Sequence, residues 1–477
     1  MKDSGIDEIS LSPEGKKDRI IQALKQILLK GSGIRPVLMA VEDLHWVDKS
    51  SEEALKYTLD SIPCARVQLI FTYRPEFVHA WAGRSYHNQI NLNRLSNRES
   101  LFMVSHLLGI PEIDKDLEKL ILEKTEGVPF FIEELLKSLK DLKIIERKNS
   151  SYQLATGVKA VAVPSTIQDT IMARVDSLPD AARAVLQTGS VIEREFSYEL
   201  IKRATGVPEQ SLLTHLSQLK DSELIYERGI YPQTSYIFRH ALTREVVYDS
   251  ILANKKKELH EKIGREIEEL YRNSLPEQYA ALADHFYRSE SYGKAAEYLR
   301  LAGKKAEKSA SFTDGIFNAK KRIACLERLP QTEEVQKEIT HASATLGLYF
   351  IQLNCAAKAK EAVDPVVNIA LRLNHKHSLA QIHSILGHYE YVVEEDFDKA
   401  MSHFEEALKF SEETKDVLSL FFTNYCLGFA LMWNCTFEQA SHHFGKALEI
   451  NVDANDLLAK MNISSQKIGP TQERFHR

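Results

Sequence analysis

Pro36–Asp48 reads PVLMAVEDLHWVD, in which five apolar residues, Val37 to Val41, run without alternation into two adjacent acids, Glu42 and Asp43. An unbroken run of this length suits a strand buried on both faces of a parallel α/β sheet. Glu42 and Asp43 then stand at its carboxyl end, the edge at which ligands of open α/β sheets bind. Acids placed there can hold a Mg²⁺ and polarise a water beside a nucleotide phosphate. The same residues also fit a buried strand running into an acidic turn.

The flanks supply the rest of an α/β unit. Asp18–Lys30 places Ile20, Ile21, Leu24, Ile27 and Leu28 on one helical stripe, and Gly31-Ser32-Gly33 is expected to break that helix before the strand. Beyond the acids, Ser50, Ser51 and Glu53 predict a capped helix to about Ser61. A second buried strand follows at Val67–Thr72, with Arg74 directly after it. A guanidinium at that edge can grip phosphate through two hydrogen bonds. Asn88–Leu95 (NQINLNRL) is expected as a last short strand, and Asn97–Leu108 as a helix closed by Gly109 and Pro111. Gly127 and Pro129 in EGVPFFIEELLKSL (Glu126–Leu139) form a rigid entry to a helix packed through Phe130, Phe131, Leu135 and Leu136.

Length and composition set the bounds. A chain of 477 residues exceeds one ordinary core and suggests roughly three or four domains. Apolar residues at 44% and charged residues at 27% give a globular balance. A net charge of −6 lacks the basic footprint of phosphate-backbone binding, so nucleic acid is not an expected partner. Five scattered cysteines without a CxxC pair indicate neither a disulfide framework nor a zinc site, which fits a reducing, cytoplasmic setting. No apolar signal segment opens the sequence. Val417–Phe437 is uncharged and about as long as a membrane span, but Ser419, Thr423, Asn424, Asn434 and Thr436 favour a buried helix and its turn, so no membrane is expected.

Past Val163-Pro164, the segments Thr166–Ser177, Asp180–Gln187, Tyr198–Ala204 and Glu209–Lys220 read as helices, and LIYERG with SYIFRHAL as a β pair, an order that resembles a winged helix. Glu209–Lys220 would be its groove-reading helix, yet its near-neutral charge favours packing. From Lys255 on the chain is helical and repetitive. Leu346-Gly347, Leu386-Gly387 and Leu427-Gly428 recur at 40 and 41 residues, followed by Phe397, Ala400, Phe404 and Ala407, then by Phe437, Ala440, Phe444 and Ala447. Small residues at such sites let helices approach while aromatics fill the groove, the tetratricopeptide arrangement, whose solenoids bind proteins. His375, His377, His383 and His388 cluster in sequence but lack a metal-ligand pattern. The repeat pattern fades after Asn451.

Together VLMAVEDLHWVDKSSEEAL, LIFTYRPEF and EGVPFFIEELL resemble the predicted ATPase module of the STAND class. Its relatives include MalT-like regulators and the ATPase regions joined to class III adenylate/guanylate cyclases and some serine/threonine kinases. The resemblance implies a Walker B strand, with Glu42 at the Mg²⁺ position and Asp43 polarising water. It implies that Arg74 is the γ-phosphate sensor, that Pro129 lies beside adenine, and that His240 in Phe238–Leu242 either contacts phosphate or is simply buried. His45, Trp46 and Asp48 belong to the signature and are taken as structural.

One element of that class is missing. No GxxxxGK[ST] occurs in the sequence, so a phosphate cradle is not identifiable. The expectation is a mainly α chain with an N-terminal α/β part. It comprises an incomplete P-loop module (residues 1–105), a helical lid (106–160), a winged-helix-like domain (161–254) and tetratricopeptide-like repeats (255–477). The simplest account is the C-terminal part of a longer ATPase; a pseudo-ATPase independent of ATP is the alternative. The implied cofactors are ATP and Mg²⁺, completed by a P-loop not found in the sequence. The implied partners are a protein on the repeats and a cyclase or kinase output domain, in cis or in the same operon. A non-enzymatic scaffold and a MalT-like transcription regulator are the other readings, the latter weakened by the lack of a basic DNA-binding end.

Overall fold

The computed structural model describes residues 13–450 apart from 64, 79–80, 82–85, 110–111, 142, 149–150, 155–165 and 230–232. Val163-Pro164 and the segment after Asn451 therefore lie outside the described residues. The chain forms two compact units: one holds the residues up to His87, Ser274–Tyr287 and everything from Ser291 on; the other holds Asn88–Asn273 with Arg288–Glu290.

The first unit begins with α1 (Pro13–Ile34), β1 (Val37–Val41), α2 (Lys49–Leu59) and β2 (Val67–Phe71). The glycines do not break α1. A glycine inside a helix costs only about 1 kcal/mol, and here the last turn is held from outside: Arg66 Nε donates to the Ser32 carbonyl at 3.0 Å and its terminal nitrogen to Gly33 at 2.6 Å. The cap of α2 is Asp48, which accepts from Ser51 N at 2.9 Å and Ser51 Oγ at 2.7 Å. Burial pulls the Asp48 carboxyl upward, but these bonds outweigh it and hold the group below its ordinary value.

β1 and β2 pair in parallel, Val37 beside Val67 and Val41 beside Phe71. Burial alternates along both strands, contrary to the expectation of two covered faces. Val41, Val67, Leu69 and Phe71 pack on Leu44, Leu59, Ile62 and Trp81. The opposite face is open, with Leu38 65% and Ile70 41% exposed. The physical reason is that Leu44, Leu59, Ile62 and Trp81 cover one side and leave the other to solvent. Leu38→Lys is therefore expected to change stability by no more than about 0.5 kcal/mol, whereas Leu44→Ala should cost about 2–5 kcal/mol. Urea titration of tryptophan fluorescence distinguishes them, since equal losses would mean that the Leu38 face is covered.

The second unit begins with an irregular segment. Asn88–Leu95 forms no strand, against the expectation, because its alternating Ile90 and Leu92 meet no ladder and stay exposed. Next come α3 (Asn97–Leu108), β3 (Glu112–Ile113), α4 (Lys115–Thr125), α5 (Pro129–Asp141), β4 (Ile145–Lys148) and β5 (Ser151–Leu154). The three strands form a small sheet in the order β3-β5-β4, so this region is not wholly helical. Its core joins Val104, Leu117, Ile121, Ile132, Leu135 and Leu139. Then follow α6 (Ile167–Asp176), α7 (Asp180–Ile192), β6 (Glu195–Ser197), α8 (Tyr198–Thr205), α9 (Glu209–Asp221), β7 (Ile225–Arg228), β8 (Ser235–Phe238), α10 (Ala241–Asp249) and α11 (Ala253–Leu270). β8 pairs antiparallel with both β6 and β7. Leu212, Leu216 and Leu219 bury one face of α9.

The chain then returns to the first unit as a helical solenoid: α12 (Tyr279–Arg288), α13 (Tyr292–Lys308), α14 (Phe312–Leu326), α15 (Glu333–Gln352), α16 (Ala356–Val363), α17 (Val367–Arg372), α18 (Lys376–Val392), α19 (Phe397–Thr414), α20 (Val417–Trp433) and α21 (Phe437–Glu449). The repeated glycines sit at close approaches. A Cβ on Gly387 would lie 2.8 Å from the Phe404 ring, and one on Gly428 would lie 2.6 Å from the Phe444 ring. Val417–Phe437 is α20 and the turn into α21, and no helix among the described residues is long and apolar enough to cross a membrane. At the start of α2, Ser50 Oγ lies 2.6 Å from Ser311 Oγ at the start of α14, joining the α/β segment to the solenoid.

Candidate functional site at the carboxyl edge of β1 and β2

Parallel pairing of Val41 with Phe71 brings the two strands to a common carboxyl edge, which Glu42 and Asp43 leave on one side and Thr72, Tyr73 and Arg74 on the other. Asp43 adopts a left-handed conformation (φ 55°, ψ 41°), unusual for a residue with a side chain. Thr72 holds it there: the Asp43 N–H donates to Thr72 Oγ1 at 3.0 Å, and the next amide, Leu44, donates to the Thr72 carbonyl at 2.8 Å. A strained conformation fixed at a strand edge is the kind of feature that functional sites retain. Glu42 and Arg74 are exposed, and the Arg74 guanidinium lies 5.9 Å from the centre of the Trp46 ring, at the outer limit of a cation–π contact.

The His45 ring packs at a tilt on Trp46, with ring centres 4.7 Å apart and the planes at 49°. Both of its ring nitrogens are buried without a hydrogen-bond partner among the described residues. An orphaned buried imidazole calls for a partner. Thr72 and the Arg74–Trp46 contact escaped the sequence reading. The one signal for Thr72 was its place as the last residue of VQLIFT, beside the acids once the strands are parallel.

Pro129 and His240 fall in the other unit. Pro129 opens α5 and is exposed; before it, a Cβ on Gly127 would lie 2.1 Å from the Leu95 carbonyl, so only glycine fits there. His240 precedes α10, and its ring packs on Phe130 with centres 4.0 Å apart. Arg239 reaches Glu133 at 3.3 Å and Glu223 at 2.9 Å, and Lys137 bonds the same two acids at 2.9 and 2.5 Å. The helix-entry motif and the Phe238–Leu242 phrase, far apart in sequence, thus share one ionic cluster. Burial pushes the His240 imidazole below its ordinary value, against the pull of Glu134 and Glu133, which favours a neutral ring. Its Nε2 has no partner among the described residues.

Glu42, Asp43 and Arg74 place two carboxylates and a guanidinium at one strand edge. A phosphate cradle is absent among the described residues, because Gly31 and Gly33 lie inside α1 rather than in a loop after a strand. The clustered histidines form no metal site among the described residues. Instead His377 Nδ1 pairs with Asp416 at 3.1 Å, and His383 Nδ1 lies 3.1 Å from His403 Nδ1.

Comparison with known proteins gives three findings. A family described as a domain of unknown function (DUF8739) matches residues 96–151, which take in α3, α4 and α5. An uncharacterized protein of Rhizobium meliloti (strain 1021) is 22% identical over 307 residues, 62% of this chain and 28% of that protein, so the match spans less than a third of that relative's length. Among solved structures, the chain is similar to a signal transduction ATPase with numerous domains (STAND) protein with a tetratricopeptide repeat sensor from Pyrococcus horikoshii. That likeness has a TM-score of 0.40 and 14% identity, and covers 94% of this chain and 72% of the other.

Proposed function

We propose that this chain belongs to a regulatory switch that responds to ATP, with the carboxyl edge of β1 and β2 as the magnesium-facing and γ-phosphate-facing half of the nucleotide site. The observation that supports this most is the parallel register, which sets Glu42, Asp43 and Arg74 on one edge with Asp43 fixed by Thr72. Glu42 would hold Mg²⁺, Asp43 would orient and polarise a water, and Arg74 would grip the terminal phosphate. Bound Mg²⁺ would neutralise phosphate charge. The phosphate cradle would come from a further segment or a partner chain.

Within the second unit, Pro129 would be the adenine-side proline of the family pattern, and His240 would either contact phosphate or be simply buried. The winged-helix-like domain, residues 161–254, would act as a packing switch rather than a DNA reader. The solenoid is a tetratricopeptide-type surface for a protein partner, and the output is a cyclase or kinase. The Ser50–Ser311 hydrogen bond offers a physical route from the start of α2 to the repeats.

Equilibrium titration of the chain with labelled ATP, with and without Mg²⁺, tests the nucleotide half. The expected result is Mg²⁺-dependent binding that Glu42→Ala with Asp43→Ala abolishes. The absence of a cradle among the described residues favours a second reading, a scaffold in which the α/β segment only packs. That reading predicts no Mg²⁺-dependent binding, or binding indifferent to the double substitution.

A further inference from the structure

A cavity of about 330 Å³ lies among α13, α14, α15, α18 and α20. That is the lower end of the size range of small-molecule sites, about 300–1,000 Å³. One part of its wall is apolar, with Phe312 and Phe422. Another part is cationic. Arg300 and Lys304 stand one helical turn apart on α13, and Arg322, only 4% exposed, faces the cavity from α14.

The acids of the wall are already engaged: Glu307 accepts from Tyr349 Oη at 3.0 Å, and Asp416 from His377 Nδ1 at 3.1 Å. Arg322 is paired with Glu338. Arg300 and Lys304 make no ion pair among the described residues. The wall also carries unmet hydrogen-bonding capacity, because His341 Nδ1 and Gln381 Oε1 are buried without partners among the described residues.

We propose that this cavity is a binding site for a small organic anion, whose phosphate or carboxylate head is held by Arg300, Lys304 and His341 and whose compact apolar body lies against Phe312 and Phe422. Two cations on one helix face, unpaired among the described residues, in a cavity that Phe312 and Phe422 also line, select a negative head on an apolar body. The electrostatics agree. Burial, with the charges of Arg322 and Lys304 close by, holds the His341 imidazole down at about 3, so the ring stays neutral in a positive field. Burial and Arg300 likewise push Arg322 below its ordinary value despite Glu338. The site is separate in chain and in chemistry from the edge of β1 and β2, and it stands whether or not that edge binds nucleotide.

Calorimetric titration of the whole chain with phenyl phosphate tests the proposal, with benzoate as the carboxylate arm and benzyl alcohol as the neutral control. Saturable binding of one or both anions is expected, and whichever binds identifies the head group. The exposed or half-exposed pair should be replaceable without unfolding, so Arg300→Gln with Lys304→Gln should weaken binding at least about tenfold. Lys308→Gln, on the same helix but outside the cavity, should leave it unchanged. A circular dichroism melt superimposable on that of the wild type confirms that the double variant is folded. Failure of both anions to bind at millimolar concentration overturns the proposal. So does equal binding by the folded double variant, or benzyl alcohol binding as tightly as the anions.

Discussion

Arg174→Met is expected to destabilise the second unit by about 3–5 kcal/mol. Arg174 is 5% and Glu134 1% exposed, and the two form a direct ion pair. The same guanidinium donates to the Ser222 carbonyl, so α5, α6 and the end of α9 meet on one side chain. Methionine keeps much of the length but leaves the Glu134 carboxylate buried with only Lys137, 3.9 Å away, as a paired cation among the described residues. The energetic penalty is that of an uncompensated charge, not the modest net value of the pair. Arg174→Met with Glu134→Leu should therefore recover most of the loss, since neither charge remains. All three tryptophans, Trp46, Trp81 and Trp433, lie in the first unit, so their fluorescence is blind to this change. Native-state hydrogen exchange of the α5 and α6 amides reads it directly. Protection in the single variant equal to wild type would show that the pair is not buried as described.

Phe404→Ala is expected to cost the solenoid about 3–5 kcal/mol. The Phe404 ring is fully buried between α18 and α19, and it fills the space that Gly387 leaves by having no side chain. Gly387→Val meets the same ring from the other side, with its Cβ 2.8 Å from Phe404 Cε1, and should cost about 1–3 kcal/mol by overpacking. The double variant puts valine into the vacated space. The two losses should then fall short of adding by more than about 1 kcal/mol, well outside the scatter of independent sites. Thermal melts followed by far-ultraviolet circular dichroism give the cycle. Strict additivity would mean that glycine and ring do not share a groove.

Much of this architecture was legible because it rests on local rules. The spacing of Leu346-Gly347, Leu386-Gly387 and Leu427-Gly428 pointed to close helix approaches, and the structure puts a partner side chain against each glycine. Asn97–Leu108 was readable from Gly109, which ends the helix in a left-handed turn, while the capping box of Ser96 and Glu99 at its start is seen in the structure. The failures have nonlocal causes. Arg66 carries α1 through two glycines that would ordinarily stop it. The exposure of Leu38 depends on what covers the sheet, which apolar content cannot tell. The strands β3 and β6 are two and three residues long and too short for any period to register.

The candidate site divides along the same line. Glu42, Asp43 and Arg74 could be read because each follows a strand, and parallel pairing then aligns their ends. Thr72 as the residue that fixes Asp43 depends on a hydrogen bond from the Asp43 amide to the Thr72 hydroxyl across the two strand ends. The cluster joining Glu133, Lys137, Glu223 and Arg239 needed the tertiary fold, since its members come from three separate stretches of chain. The polar wall of the solenoid cavity was equally hidden, because Arg300, Arg322 and His341 stand on three different helices.

The central claim is that nucleotide and Mg²⁺ meet at the edge formed by β1 and β2, and hydrogen exchange with Mg·ATP present and absent tests it by position. Added Mg·ATP should slow exchange in the wild-type chain across Val41–Val47 and Thr72–Phe77, where the Leu44 and Asp43 amides bond to Thr72. The Glu42→Ala, Asp43→Ala chain should show no such change. No slowing in these two segments, or the same slowing in the double variant, would contradict the account.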